Sequence, residues 1–517
     1  PLASVLSTPV GTTISSLYAL ISIGHVAVEP DQIALALAAG VGSSLIAAWR
    51  PAAEAAACDP AGVLRSGSQM DSFAIQSKRW SVFGVFALGL AATFSYWTLA
   101  GGGRLLGFAA VGLLIVGFSL LVPATVNAFC TFVIGPGWLV RLASQHLARS
   151  LHRNTVTIAA LAVAAAMTVS VSVMIHSFRA SVTVWLGQTL VADLFIAPAA
   201  NEIAGLTSFI PANAVDWVRN DPRVKELGTF REMAVPWSGK TANLAVIDGN
   251  ARGKFDFVHA PAGASDRFHE PGMVAVSESF STRYGTKPGD TLELSSPKGP
   301  ARFTVVGIIK DFTRDSGLVM MERKNFAEYW DDERLHSLSI TLKDPSETAA
   351  FGEDFRKTFS HDGEFSIYTN ADLRRRVLEI FDQTFAVTSV LRSIAVAVAI
   401  AGVLLSLTTL VLEREREIGV LRSQGASQAQ IQCLILCEAA MIGLLASIVG
   451  IFCGASMAMI LTWVINKAFF GWTIELRYPL DVLFTTPLWM IPSAIFAAWI
   501  PSRRASRIPP ARAIRCD

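Results

Sequence analysis

Charge is scarce in this sequence. Only 16% of its 517 residues are Asp, Glu, Lys or Arg, and 52% are hydrophobic; soluble domains carry about 25% charged residues. The net charge of +2 is too small for a nucleic-acid binder. Cysteine is scarce too. Of Cys58, Cys130, Cys433, Cys437, Cys453 and Cys516, none lies in the polar stretch 179–384, which excludes a disulfide framework there. Cys433 and Cys437 share a helix face, but no His or further Cys lies nearby to complete a metal site. The eight histidines form no ligand cluster. Ser238-Gly239-Lys240-Thr241 imitates the end of a phosphate-binding loop, yet the required first Gly is Ala234. No Ser/His/Asp or paired-carboxylate set stands out. The chain is therefore expected to be no enzyme and to hold no cofactor or metal.

What is present in quantity is long apolar sequence. Runs of roughly 20 such residues cross a bilayer. By that measure Leu2–Ile23 is the tail of a span, and Ile33–Trp49, Trp80–Ala100, Leu105–Val133, Val156–Phe178, Phe385–Leu412, Cys433–Ile465 and Val482–Trp499 are spans. Arg50, Arg65, Lys78, Arg79, Arg141, Arg149, Arg153, Arg414, Arg416, Arg422, Arg503, Arg504, Arg507, Arg512 and Arg515 then fall on one face, which the positive-inside bias makes cytoplasmic. The stretch 179–384 and Asn466–Asp481 fall outside the cell membrane.

The outer stretch is long enough to fold alone. Thr291–Leu294 and Phe303–Ile309 alternate in the strand manner about a Ser-Pro-Lys-Gly-Pro turn and predict a hairpin. Leu335–Leu342 predicts a strand; Ala214–Arg219 and Lys324–Tyr329 predict short helices. The fold class is thus a polytopic α-helical membrane protein with an α+β extracytoplasmic domain inserted between spans. Asp372 and Arg374-Arg375-Arg376 read as a solvated stalk ahead of Phe385, and Arg141–Arg153 as a surface helix or a plain polar connector.

A repeat runs through the two ends. Ala47-Ala48-Trp49-Arg50-Pro51 … Ala55 … Pro60 … Arg65 recurs as Ala497-Ala498-Trp499-Ile500-Pro501 … Ala505 … Pro510 … Arg515, at an offset of 450. Both copies close a span. The same offset sets Pro1 against Ile451, inside a span, so an earlier copy of the module is expected upstream.

Between two spans stands Glu413-Arg414-Glu415-Arg416-Glu417-Ile418-Gly419-Val420-Leu421-Arg422-Ser423-Gln424-Gly425-Ala426-Ser427. Gly425 permits a break, and Ser427 with Gln430 spells a capping box that starts a new short helix into Ile431. On the residues alone two readings stand: a solvated i,i+4 charge ladder, or a rigid contact for a soluble partner. Further on, Ala446, Gly450, Gly454 and Ala458 repeat at four-residue spacing, a packing seam within the chain or between modules.

This charged connection, flanked by spans and closed by Ala-Trp-Ile-Pro-Ser-Arg-Arg-Ala-Ser-Arg, resembles the FtsX-like permease family of ABC transporters, which includes the macrolide-exporter and lipoprotein-release permeases. Val274–Phe280, Gly289–Leu294 and Phe303–Gly307 look like the MacB-like periplasmic core domain of the same permeases, and the extra hairpin looks like the ten-span branch. The resemblance implies a duplicated FtsX-like module with these domains: 1–67, the end of a first transmembrane module; 80–133, a linking hairpin; 141–178, a surface helix and first span; 179–384, the outer core domain; and 385–515, the second module. It implies a coupling helix, with Arg416, Glu417, Gly419, Arg422, Gly425, Ala426, Ser427 and Ile431 at the contact with a cytoplasmic ABC ATPase dimer that binds the ATP. It implies residence in the bacterial inner membrane, membrane lipid as surroundings, and a periplasmic adaptor or substrate protein as a further partner. The expected function is a permease subunit moving its outer domain to export or extract a lipid, lipoprotein, peptide or drug-like substrate. The alternative is a transmembrane signalling scaffold that regulates a cell-wall hydrolase or senses a peptide.

Overall fold

Apolar residues on every face of a long helix leave it nowhere to lie but among other helices or in lipid. The computed structural model sorts the helices that way; it describes residues 30–57, 70–132, 137–149, 151–248, 257–314, 316–413 and 415–507. The membrane part comprises α1 (Pro30–Ala57), the hairpin α2 (Met70–Leu99) and α3 (Leu106–Phe132), α4 (Trp138–Arg149), and α5 (Leu151–Thr189). After the outer domain come α12 (Asn370–Glu413), α13 (Glu415–Ser423), α14 (Gln428–Met459), a π-helical turn (Ile460–Ile465), α15 (Asn466–Phe470) and α16 (Leu480–Ser506).

Among the described residues, five helices are long and apolar enough to cross a membrane: Arg79–Leu99, Leu106–Phe132, Asn154–Thr189, Gln428–Phe470 and Leu480–Ser506. The expected span Ile33–Trp49 falls inside α1 and Phe385–Leu412 inside α12, and neither helix is among the five. Leu2–Ile23 lies outside the described residues, as do Pro60, Arg65, Pro510 and Arg515 of the repeat. The stalk that begins at Asp372 is continuous with α12.

α14 is the central helix. In its most apolar window 67% of residues are buried inside the chain, against 22% in α2 and 28% in α3 and α16. The outward faces of α2 and α16 carry Phe83, Phe86, Trp97, Phe484, Leu488 and Phe496, a surface suited to hydrocarbon rather than water. The small-residue stripe of α14 lies against α5. A Cβ on Gly450 would sit 2.4 Å from Ala165 Cβ, and one on Gly454 would sit 2.7 Å from the Ala166 carbonyl oxygen. Ala446 and Ala458 are fully buried, Ala458 beside Val169 and Val173. The seam is within the chain.

The outer domain is one ten-stranded mixed sheet in the order β10-β1-β9-β2-β3-β8-β5-β7-β4, with β6 paired to β7. Its strands are β1 (Leu194–Pro198), β2 (Val224–Trp237), β3 (Lys240–Ile247), β4 (Phe257–His259), β5 (Met273–Ser277), β6 (Thr291–Ser296), β7 (Gly299–Ile309), β8 (Leu318–Glu322), β9 (Ser337–Leu342) and β10 (Phe365–Thr369). The helices between them are α6 (Ala200–Ala204), α7 (Ala212–Asn220), α8 (Ala264–Arg267), α9 (Glu278–Tyr284), α10 (Arg323–Tyr329) and α11 (Thr348–Thr358). The predicted hairpin is β6–β7. The strand expected from Leu335 starts at Ser337, because Leu335 makes only an isolated bridge to Ile210.

Two lobes share this sheet. The first packs Ile196, Val218, Leu338, Ile340, Phe351 and Phe355 under β1, β9, α7 and α11. The second packs Leu244, Val276, Phe280, Phe303, Met321 and Phe326 under β3, β5, β7 and β8. β2 belongs to both: Val224–Phe230 pair with β9, and Phe230–Trp237 pair with β3. At the crossing, buried Arg231 reaches Asp332 at 3.0 Å, and Asp332 also accepts from Arg334 at 2.8 and 2.9 Å. The His336 ring stacks on Phe209 with centroids 5.0 Å apart. Its nitrogens lie 2.7 Å from Arg231 Nη1 and 3.1 Å from the Glu232 N–H, both donors. Burial first, and then the Arg231 charge, bring its pKa down to about 4.

Two outcomes are expected. Gly454→Val pushes carbon into the α5 backbone, so the helices must part; overpacking of this kind costs about 1–3 kcal/mol or more. Thermal melts in nanodiscs should show a lowered transition, whereas Gly112→Ala, with nothing within 4 Å of its added carbon, should leave it unchanged. The second concerns pH. An unfolded His takes up its proton near pH 6.5 and the folded His336 only near 4, so stability is full above 6.5 and falls as pH drops toward 4. The loss approaches about 3 kcal/mol. Tryptophan-detected melting of the chain from pH 7 to 4.5 should show this fall, and His336→Gln should flatten it.

Candidate coupling site

The charged connection folds as a short helix, a tight reversal and a long helix. α13 ends in a Schellman turn: the Ala426 N–H donates to the Leu421 carbonyl at 3.0 Å and the Gly425 N–H to the Arg422 carbonyl at 3.2 Å. Gly425 takes the left-handed position at φ +98°, where an L side chain is strained. Ala426 and Leu421 both pack against the apolar cluster under the turn. Ser427 then caps the next helix: its Oγ accepts from the Gln430 N–H at 3.2 Å, and the Gln430 side chain accepts from the Ser427 N–H at 2.8 Å. The capping box is present as expected, but the helix that it starts is no short one. It is α14, which runs into the membrane. The short helix is α13, upstream of the break.

Beneath the turn, Val411, Ile418, Ile431, Ile435 and Ala505 form a buried apolar cluster. Ile431 is only 2% exposed. Its expected place at a partner-facing surface is therefore corrected: it supports the turn from below. Gly419 is buried as well, and Ala426 is half-buried. Glu417, Gly425 and Ser427 are exposed, along with Val420 at 43%. The Arg416 backbone lies in α13. Arg422 is half-buried, and its Nη1 donates 2.9 Å to the carbonyl oxygen of Ser506, the last residue of α16. A cation there meets a helix-end carbonyl and the negative end of the helix dipole.

Sequence reasoning missed three supports. Ala505 and Ser506 of α16 dock α13, and only their place in the closing Trp-Ile-Pro-Ser-Arg-Arg-Ala-Ser stretch hinted at a role. His146 on α4 lies 2.8 Å from Glu438 on α14, with both side chains largely buried. That pair fixes the amphipathic α4 to the bundle beside α13. His146, Glu417, Ile418 and Glu438 line a small cavity between these helices.

The comparisons with known proteins meet this geometry. The FtsX-like permease C-terminal model matches residues 389–510, a range that contains α13, the turn and α14. The MacB-like periplasmic core domain model matches 155–358. Over these two ranges the chain is similar to the FtsX-like permease family of ABC transporters. Like the family, it is a multi-pass protein of the bacterial inner membrane, and members are generally not the catalytic subunit. An uncharacterized ABC transporter permease protein of Mycobacterium tuberculosis is 26% identical over 516 residues, 97% of this chain and 60% of that protein. The lipoprotein-releasing system transmembrane protein LolC of Neisseria meningitidis serogroup B is 24% identical over 266 residues, 45% of this chain and 62% of its own length. The chain thus spans less than two thirds of these relatives. The periplasmic region of MacB from Actinobacillus actinomycetemcomitans aligns over 37% of this chain and 95% of its own, at 11% identity and TM-score 0.28.

Two substitutions test the permease's turn. Arg422→Ala deletes a charged donor to a helix-end carbonyl and should cost about 1.5–3 kcal/mol. Gly425→Ala forces an alanine into the left-handed position and should cost about 1–2 kcal/mol. Thermal unfolding in nanodiscs should rank them in that order, and hydrogen exchange at Leu421–Ser427 should rise in both.

Proposed function

We propose that this chain is the permease subunit of an ABC transporter and passes the work of a separate cytoplasmic ATPase dimer, which binds the ATP, to its outer domain. The observation that carries this reading is the continuity of α12. It starts directly after β10 and runs 44 residues, about 66 Å of rigid rod, to the short helix α13. That helix is capped, seated on an apolar cluster and tied to α16 by Arg422. A push on its exposed face cannot be absorbed locally and must tilt the rod.

The domain limits 1–67, 80–133, 141–178, 179–384 and 385–515, and the duplication of the module, belong to this proposal; the 450-residue offset supports them. So do membrane lipid and a periplasmic adaptor or substrate protein as partners. The substrate class, a lipid, lipoprotein, peptide or drug-like molecule held outside or within the membrane, is supported by spans almost free of buried charge, which a polar solute path would need.

Val420 is exposed on α13, so Val420→Arg should leave the fold and its melting transition intact. A bulky charge pressed into a contact should lower ATPase affinity at least tenfold, equivalent to about 1.4 kcal/mol. Co-purification with the ATPase and stimulated hydrolysis should both drop. Full retention of both would mean that α13 is a solvated helix without a partner.

A further inference from the structure

The membrane part holds the outer domain at two places, and only one of them is a pair of stalks. α5 and α12 both enter the first lobe. Asn370 at the start of α12 donates to the Leu190 and Ala192 carbonyls at 2.7 and 2.8 Å, just past α5, and β1 and β10 pair side by side. The second lobe is gripped instead by residues 471–479, the extended strap between α15 and α16. Glu278, first residue of α9 and buried at 7% exposure, accepts from the Thr473 N–H at 2.9 Å and from the Thr473 hydroxyl. Thr282 donates to the Gly471 carbonyl at 3.3 Å. Lys310, at the end of β7, meets Glu475 at 3.2 Å.

The strap is fixed to the membrane part as firmly. The Arg477 N–H donates to Ser177 Oγ at 2.9 Å and the Glu475 N–H to Ser181 Oγ at 3.1 Å, both on α5. Phe178 of α5 packs against Trp472 of the strap, Phe312 of the second lobe and Phe381 and Phe385 of α12, with ring centroids 5.3–6.2 Å apart. α14 is seated on α5 by its glycines, and α15 and α16 continue from the strap's two ends. Strap, α5, α14 and α16 thus form one block, which the first lobe also meets through α5, and α12 borders it at Phe178 and at the Arg179–Asp382 pair, 2.9 Å apart.

We propose that the Glu278–Thr473 contact is a positioning latch that anchors the second lobe to this block, so that tilting of α12 is converted into a change of angle between the two lobes. The inference rests on the permease reading, because the tilt is supplied by the ATPase. Without the latch the second lobe would keep only the Thr282–Gly471, Lys310–Glu475, Trp185–Lys310 and Phe178–Phe312 contacts to the block, and more of the same tilt would swing the whole domain instead of opening it.

The test uses the full chain in nanodiscs with its co-purified ATPase, as wild type, Glu278→Gln, Thr473→Val and the double variant. Both substitutions keep side-chain size: Glu278→Gln trades the charged acceptor for a neutral amide and so weakens both bonds, and Thr473→Val removes the hydroxyl donor. Without nucleotide, hydrogen exchange at 471–479 should rise at least tenfold in Glu278→Gln, while β3 and β8 stay protected. The double variant should be no faster than the faster single, because the two groups act through one another. Unchanged exchange in Glu278→Gln, or independent effects, overturns the latch and leaves the permease reading standing. With ATP and vanadate, wild type should change exchange both at Gln424–Gln430 and at the lobe crossing around Arg231 and His336. Glu278→Gln should keep the first change and lose the second. Retention of both overturns the latch. Absence of the first change in wild type overturns the permease reading and the latch's role in transmission together.

Discussion

Lipid offers helices no hydrophobic reason to associate, so a bundle of spans depends on how closely its backbones approach. In this chain the approach is made by Gly450 and Gly454 of α14 against Ala165 and Ala166 of α5. Everything at either membrane face depends on α14 being placed there. Its first residue is capped by the turn that carries α13, and its far end passes through the π-helical turn and α15 into the strap beneath the outer domain. One helix therefore fixes both the cytoplasmic candidate site and the outer anchor. Helices with less buried area, α2 and α16, turn aromatic and aliphatic side chains to the lipid instead.

The outer domain is built to be held in two hands. A single sheet would be stiff if one core ran beneath it, but here the core under β1, β9, α7 and α11 is separate from the two clusters that cover β3, β5, β7 and β8, and one strand, β2, crosses between the lobes. The charged knot of Arg231, Asp332, Arg334 and His336 lies at that crossing. A buried charge cluster favours a fixed geometry because its partners must keep their positions to stay satisfied. The knot would thus define a rest angle between the lobes, and changing that angle would strain it. Such a joint suits a domain that works between two arrangements better than one that only holds shape.

Much of this was legible in the sequence, and the limits have physical reasons. Long apolar runs, the β6–β7 hairpin and the capping box rest on local periodicity and local hydrogen bonds, which one segment encodes alone. The stripe Ala446-Gly450-Gly454-Ala458 showed that something packs closely but could not say that α5 is what packs. The cap after Gly425 starts a helix as the residues indicate, but they do not say that this helix is the long α14 and that the short one is α13 before the break. Charge and a cap mark both sides, and only the Schellman bonds from Ala426 and Gly425 reveal which side ends. Ile431, just after the cap, reads locally as a surface residue. Burial there depends on Ala505, 74 residues on, and no local pattern carries that. The strap escaped notice because Glu278 and Thr473 are 195 residues apart.

The charged segment that first marks this chain now reads in two layers. Ile418 packs into the cluster and Gly419 is buried beside it, whereas Val420 is exposed. An isolated solvated helix end would need neither the buried pair nor the closing turn: nine residues form no stable helix unaided, and surface charge pairs add only a few tenths of a kcal/mol. The apolar seat, the Schellman turn and the Arg422 bond to α16 hold α13 in place against that weak propensity. Such support stiffens a surface helix well beyond what solubility requires, as transmission of force into the spans would demand.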